Sequence, residues 1–321
     1  RGNLRTERQQ RTIVLQNQVM RNLIFIVCLL LFSAIAPAAT KRTYANKSVL
    51  SEGKVIKIQV SETGIHAITY DELKDWGLQP ENVRVLGYGG NMLSENFTLH
   101  KWDDLPSVAF YMHKGNDGVF NHGDYILFYA RGAIGWEYGS GRWRHTRNPY
   151  SNYGYYFLSD SAGEQRFIAE ATAVDAVNAY EVDWFTENFL HEVEKVNLID
   201  KEGGSGGGRE FYGESLSPSN NELKVLFETQ YVRSDIDMVC MANVAASASA
   251  DSKFTLRLAG SSTSVWLPLI KVSDFYTKAA CDSLKLKVQA NTTGKQEVQL
   301  QFVNNDANAI GYLNYIELNV P

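Results

Sequence analysis

Apolar and polar side chains alternate with a period of two along most of the chain after residue 43. Ile56, Ile58 and Val60 interleave with Lys57 and Gln59, and Ser61-Glu62-Thr63-Gly64 turns that strand back into Ile65-His66-Ala67-Ile68. Val83-Arg84-Val85-Leu86 breaks into the glycine turn Gly87-Tyr88-Gly89-Gly90. Residues 108–113, 124–130 and 153–158 predict three further strands, with turns at Gly115-Asn116-Asp117-Gly118 and Asn121-His122-Gly123. One segment departs from the pattern. Thr69 and Glu72 have the spacing of a capping box and Gly77 sits where a helix-ending glycine belongs, which predicts a short helix over 69–77.

The second half repeats the short-strand pattern without a helix. Strands are expected near 180–190, 192–199, 222–232, 237–245, 254–259, 265–270, 283–288 and 296–304. The closing stretch is the most apolar. Tyr312, Asn314, Ile316 and Leu318 alternate with Leu313, Tyr315, Glu317 and Asn319, and aromatic or branched residues occupy both faces, so a mostly buried strand is expected. With only Pro321 after it, that strand reads as a cut through a longer protein. The resulting expectation is an all-β chain with one short helix. A β-rich N-terminal domain over 43–171 precedes a jelly-roll-like β-sandwich over 175–321. The run Gly203-Gly204-Ser205-Gly206-Gly207-Gly208 is read as a surface loop, because strands of similar character flank it.

Composition supports this reading. Tyrosine (17) and phenylalanine (15) are abundant and proline (7) is scarce, which favours strands, and 321 residues suit about two domains. The N-terminus looks like an export signal. Met20-Arg21-Asn22 is a basic start, 23–32 is unbroken apolar sequence, and Ala36-x-Ala38 predicts cleavage after Ala38. The apolar run is short for a membrane span of about 20 residues. Residues 1–19 read as an upstream extension, with Met20 the expected start.

Residues 1–38 carry five Arg and one Glu, so the remainder holds 26 basic and 35 acidic side chains, a net charge of −9. A chain this acidic, without a basic stripe, is not expected to bind nucleic acid. Export leaves Cys240 and Cys281 in a compartment that permits disulfides. They are candidates either for pairing or for small buried hydrophobes.

No stretch carries a convincing catalytic set. All six histidines precede both cysteines, and both cysteines lie in core-like runs where burial raises a thiol pKa. His191-Glu192-Val193-Glu194-Lys195 opens like a zinc-protease motif, but Lys195 stands where the second ligand belongs, so a solvated strand edge is expected. The Gly115–Gly118 turn with Asp124 lacks calcium-loop spacing. Gly87-x-Gly89-Gly90 lacks the Lys-Ser/Thr and following helix of a phosphate loop. Neither cofactor nor metal is expected. The one suggestive group is aromatic: Trp136, Tyr138, Trp143, Tyr150, Tyr153, Tyr155 and Tyr156, interleaved with Arg131, Arg142, Arg144 and Arg147. Such residues either pack a sheet or form a surface for glycan or protein, with Trp136, Tyr138, Trp143, Arg144, Tyr150 and Tyr153 the candidates for the surface.

An ordered set of motifs resembles a known family. It comprises Ser48-Val49-Leu50-Ser51-Glu52-Gly53-Lys54, Val60-Ser61-Glu62-Thr63-Gly64-Ile65, Val85-Leu86-Gly87-Tyr88-Gly89-Gly90-Asn91-Met92-Leu93 and Asp103-Asp104-Leu105-Pro106. It continues with Gly123-Asp124-Tyr125-Ile126-Leu127-Phe128-Tyr129-Ala130, Asn148-Pro149-Tyr150-Ser151, Gly154-Tyr155-Tyr156-Phe157-Leu158 and Tyr312-Leu313-Asn314-Tyr315-Ile316-Glu317-Leu318-Asn319. From about Tyr44 onward the chain is similar to the N-terminal region of the PorU family, the gingipain-like cysteine peptidases that act as type IX secretion sortases. The resemblance implies that the closing strand leads into a caspase-like peptidase domain absent from this sequence, so no catalytic residue carries over. It further implies a parent that removes C-terminal sorting domains from cargo and attaches cargo to anionic lipopolysaccharide by thiol acyl transfer. Implied partners are outer-membrane components of the secretion system and cargo sorting domains, and the implied location is the periplasmic or outer face of the outer membrane.

Overall fold

The computed structural model describes residues 44–99, 102–169, 171, 182–199, 208–271, 277–291 and 294–321. The expected start at Met20 and the cleavage site at Ala36 and Ala38 lie outside these residues, as does the glycine-rich run up to Gly207. The elements below all belong to one compact unit, Lys47–Pro321. It is nearly all β, with a single short α-helix among the described residues, as the alternation predicts.

The first half contains β1 (Val55–Val60), β2 (Gly64–Thr69), α1 (Tyr70–Asp75), β3 (Arg84–Leu86), β4 (Ser107–Val108), β5 (Phe110–His113), β6 (Tyr125–Ala130), β7 (Ile134–Gly139), β8 (Arg142–Arg147) and β9 (Gly154–Ser159). Two sheets, in the orders β1-β9-β3-β4 and β2-β6-β5, enclose one core in which Val85, Phe110, Ile126, Phe128 and Leu158 are almost wholly buried. The single strand expected over 108–113 is two: Val108 pairs with Val85 in the first sheet and Phe110 with Phe128 in the second. The chain thus changes sheets at a corner between them. Around α1 the capping box is complete. Glu72 N–H donates to Thr69 Oγ1 (3.2 Å), Thr69 N–H donates to Glu72 Oε2 (2.8 Å), and Leu73 is sealed in the core.

Strands β7 and β8 form a separate hairpin that the strand pattern above does not anticipate. Its two-residue turn, Ser140-Gly141, has φ of 55° and 75°, the pair of positive values that a tight hairpin matching strand twist requires.

The second half contains β10 (Glu187–Glu192), β11 (Ser215–Leu216), β12 (Glu222–Glu228), β13 (Asp237–Ser247), β14 (Ser252–Leu258), β15 (Ser261–Leu267), β16 (Ala280–Gln289), β17 (Lys295–Val303) and β18 (Ile310–Val320). One antiparallel sheet has the order β10-β18-β13-β16, with β11 also on β18, and the other is β12-β17-β14-β15. Between them Met238, Cys240, Ala242, Phe254, Leu256, Leu300, Phe302, Ile316 and Leu318 build the larger core, so the expected β-sandwich is present. Gly311 is a packing requirement, since a Cβ there would lie 2.8 Å from both the Phe254 and Phe302 rings. The strand expected over 192–199 is not one. After Glu192 the chain is irregular, held by an isolated antiparallel bridge between Val196 and Tyr212.

The closing strand is buried on both faces, as expected, but its faces are not those of simple alternation. Leu313 pairs with Val244 and Tyr315 with Asn243, which leaves Asn314 as an extra residue in a bulge. The bulge reverses the parity. Leu313, Ile316, Leu318 and Val320 face the sandwich core, while Tyr312, Tyr315, Glu317 and Asn319 share the opposite face.

Candidate functional site

That opposite face of β18 organises the site. It carries Glu317 and Asn319, two polar residues almost fully excluded from water, and polar groups in such a place are tolerated only when bonded. Their partners come from the β7–β8 hairpin. Trp143 N–H donates to Asn319 Oδ1 at 3.0 Å, His145 N–H to Glu317 Oε1 at 2.8 Å, and Arg142 Nη1 bonds Glu317 Oε2. The hairpin therefore docks by offering backbone donors and basic side chains to carboxylate and amide oxygens of the strand.

His145 stands at the centre. Its Nδ1 lies 2.6 Å from Glu317 Oε1 and its Nε2 3.6 Å from Glu192 Oε1, while Arg147 Nη1 reaches Glu192 Oε2 at 2.9 Å. Burial by itself would lower the His145 pKa. The hydrogen bonds and charges of Glu192 and Glu317 outweigh it and raise the pKa to about 9, so the ring is an imidazolium near neutral pH. Burial likewise pushes Glu192 and Glu317 upward, but the bonds and charge of His145, with those of the arginines, hold both below the ordinary carboxylate range. The five side chains make an ion clasp of two carboxylates and three cations. The Tyr315 ring closes it edge-on at 4.6 Å from His145, and Trp136 packs at 5.9 Å. Every carboxylate oxygen of Glu192 and Glu317 thus has a cationic partner within the clasp, an arrangement that holds the hairpin on the strand.

The histidine–glutamate stretch in β10 is thus corrected. The Glu192 side chain is only 7% exposed and His191 Nε2 meets Glu214 Oε1 at 3.1 Å, so this is an internal seam and not a solvated edge. Glu192 is buried because β10 pairs with β18 in the register His191 to Ile316, which brings the hairpin over it. The cysteines are corrected too. Cys240 and Cys281 are both free. The first is buried in β13 opposite Leu286 and the second exposed in β16 opposite Ala245, five register positions apart. At about 3.4 Å per residue that is some 17 Å, far beyond disulfide reach. Burial pushes the Cys240 thiol up to about 12, which makes it inert. Asp124 is a turn residue, accepting from Asn121 N–H at 2.8 Å, and no metal-holding group is present among the described residues.

The structure divides the aromatic group. Tyr156 is core, its hydroxyl accepting from Arg131 N–H at 2.9 Å, and Tyr155 lies under Lys57, whose Nζ is 3.9 Å from the ring centre. Tyr138, Arg144, Tyr150 and Tyr153 are exposed, and Trp136 and Trp143 are half-buried. The two tryptophans line different depressions. Trp136 borders a groove of about 530 Å³ with Tyr129, Arg131, Arg147, Asn91 and Asn148. Trp143 borders another of about 490 Å³ with Tyr138, Trp184, Ile236, Val239 and Pro321. The first groove owes its floor to close backbone crossing: Gly90 N–H donates to Arg131 O at 3.0 Å, and a Cβ on Gly90 would lie 2.3 Å from Gly132 O.

The clasp residues escaped the motif reading because motifs are local, whereas Arg142 and Glu317 are 175 positions apart. A signal was present nonetheless. Trp136 and Tyr138 alternate with Gly135 and Glu137, and Trp143, His145 and Arg147 alternate with Arg144 and Thr146, about a Gly-Ser-Gly turn. Glu317, the one charged residue of β18, is a second.

No family model and no curated protein sequence matches this chain. Among solved structures, dimeric latent PorU from Porphyromonas gingivalis superposes over 86% of this chain with a TM-score of 0.72 and 28% identity. The fold is therefore PorU-like, and the chain spans 25% of that protein's length. A carbohydrate-binding module, CBM36 in complex with calcium and xylotriose, covers 41% of this chain and is itself 98% covered, at 19% identity and a TM-score of 0.26. The insecticidal endotoxin Cry8Ea1 of Bacillus thuringiensis overlaps 74% of this chain and 41% of its own at 9% identity and 0.27. Likenesses that slight carry no argument about function.

Proposed function

We propose that this chain is the N-terminal scaffold and interaction region of an exported, gingipain-like sortase. At full length that protein would remove C-terminal sorting domains from type IX secretion cargo and attach the cargo to the cell surface. The observation that carries the reading is the PorU-like fold over 86% of the chain. The ordered motif set and the signal-like segment at residues 20–38 support the same reading. In this proposal the protein works at the outer membrane, with secretion-system components and cargo sorting domains as partners, and the chemistry belongs to a thiol outside this sequence. Disrupting the gene in its source should leave cargo at the cell surface with its sorting domain uncleaved. Normal cargo processing in the disrupted strain would overturn the proposal. Thiol-dependent cleavage of a sorting domain by the purified 321-residue chain would overturn the assignment of the chemistry elsewhere.

A second reading, a stand-alone glycan-binding surface protein, is favoured by one observation, the Trp136 groove. An aromatic platform beside Arg131 and two asparagines suits a saccharide that presents both ring faces and hydroxyls. Glycan-array binding that is lost on Trp136→Ala and kept on Trp143→Ala would locate such a site. A flat array removes it.

A further inference from the structure

The depression beside Pro321 has the anatomy of a protein interface. Two tryptophans and a tyrosine (Trp143, Trp184 and Tyr138) surround Ile236 and Val239, and Tyr138 and Trp184 are 66% and 41% exposed. Polar groups rim it. Arg233 pairs with Asp183 at 3.4 Å and with Asp235 at 2.9 Å, and Asp237, Lys287 and Arg142 border the floor. Aromatic anchors inside a charged rim are what protein interfaces present, and tryptophan and tyrosine lead among residues that carry binding energy. Water over this surface is an unfavourable neighbour for about 490 Å³ of aromatic-lined space.

The position of the depression singles out one occupant. Pro321 lines it, and the Pro321 carbonyl accepts from Arg233 N–H at 3.0 Å, so the end of β18 is fastened to the rim. Any segment joined at Pro321 is held within a few residues of the aromatic floor, at an effective concentration in the millimolar range for a short connection. We infer that this surface is the docking face for the domain that follows Pro321 in the longer protein. The inference rests on the proposed function, which supplies that domain. The hairpin takes part on both sides. Through His145 and Arg142 it grips the sandwich, and through Tyr138 and Trp143 it faces the newcomer.

Hydroxyl-radical footprinting of the 321-residue chain and of the longer protein, compared side by side, tests this. Oxidation of Tyr138, Trp143 and Trp184 should be slower in the longer protein by about threefold or more, the protection expected of interface-core aromatics. Trp266, exposed on the opposite sheet, should react equally in both. Trp184→Ser should restore oxidation of Trp143 in the longer protein, while the 321-residue chain carrying it still unfolds in one cooperative urea transition. Equal rates at all three residues would overturn the docking face and leave the proposed function standing. Concentration-dependent protection in the 321-residue chain would assign the face to a second copy, which also overturns the inference. A reading frame that closes after codon 321 overturns both it and the proposed function.

Discussion

The two faces of β18 are buried to the same degree by opposite chemistry. Toward the sandwich, Leu313, Ile316 and Leu318 meet apolar neighbours from the facing sheet. Toward the hairpin, Glu317 and Asn319 are buried by bonded polar and charged groups. The apolar face is non-directional, so its stabilisation depends on area and volume. The polar face is directional. Each oxygen must find its donor, and losing one partner strands a charge. A packed strand can therefore hold one face by bulk and the other by specificity, and the second sets which segment covers it.

The sharpest way to break the comparison is at neighbouring positions. Glu317→Ala leaves His145 and Arg142 buried without their carboxylate and should cost about 3–5 kcal/mol in urea unfolding. Leu318→Ala leaves a cavity and should cost about 2–5 kcal/mol. The difference lies in rescue. Replacing Glu317, Glu192, His145, Arg142 and Arg147 together by apolar residues should recover most of the loss, since a buried ionic group exchanged whole for well-packed apolar groups is often neutral. No set of polar replacements should rescue Leu318→Ala.

A gentler test uses pH. The folded chain holds the His145 proton more tightly than the unfolded one, with a pKa of about 9 against 6.5. Its contribution is complete below pH 6.5 and is lost as the pH rises to about 9. That loss should be on the order of 3–4 kcal/mol, from roughly 1.4 kcal/mol per pKa unit. Glu192 and Glu317 run the other way. Their lowered values give stability above the ordinary 4.5 that is lost as the pH falls through the folded values. Urea midpoints should form a plateau between these limits, and His145→Gln should erase the decline between pH 6.5 and about 9. A decline over that range that survives the substitution would remove His145 from the clasp.

The smallest effect concerns the hairpin turn. Gly141→Ala meets no neighbour, yet φ of +75° strains an L-residue, so about 1 kcal/mol should be lost. Because the hairpin covers only the polar face, hydrogen exchange should quicken in β8 and stay slow in β13 and β17. Equal quickening throughout would mean that the hairpin and the sandwich unfold as one unit.

Much of the fold is legible in the sequence. Alternation marked β1, β6, β9 and most of the sandwich strands, and the Thr69–Glu72 spacing marked α1, because these signals depend on neighbours a few residues away. The hairpin was legible in its alternation but obscured by its density of aromatic and basic residues, which suggests a surface as readily as a strand. Between pairing and burial the sequence leaves Cys240 and Cys281 open, because two cysteines in adjacent strands give no clue to register, and the register holds them five positions apart.

What the sequence by itself determined is the class of structure: an acidic, all-β chain with one capped helix and a closing strand too apolar for water. Those properties follow from local propensity, spacing and composition. Only the tertiary structure decided the faces of that strand, the burial of Glu192 and Glu317, and the charge on His145. A one-residue bulge at Asn314 reverses which side chains meet the core, and its place depends on pairing with β13, some seventy residues earlier in the chain. The ion clasp, likewise, exists only where β8, β10 and β18 converge, because a carboxylate remains charged in the interior only beside cations that other strands deliver.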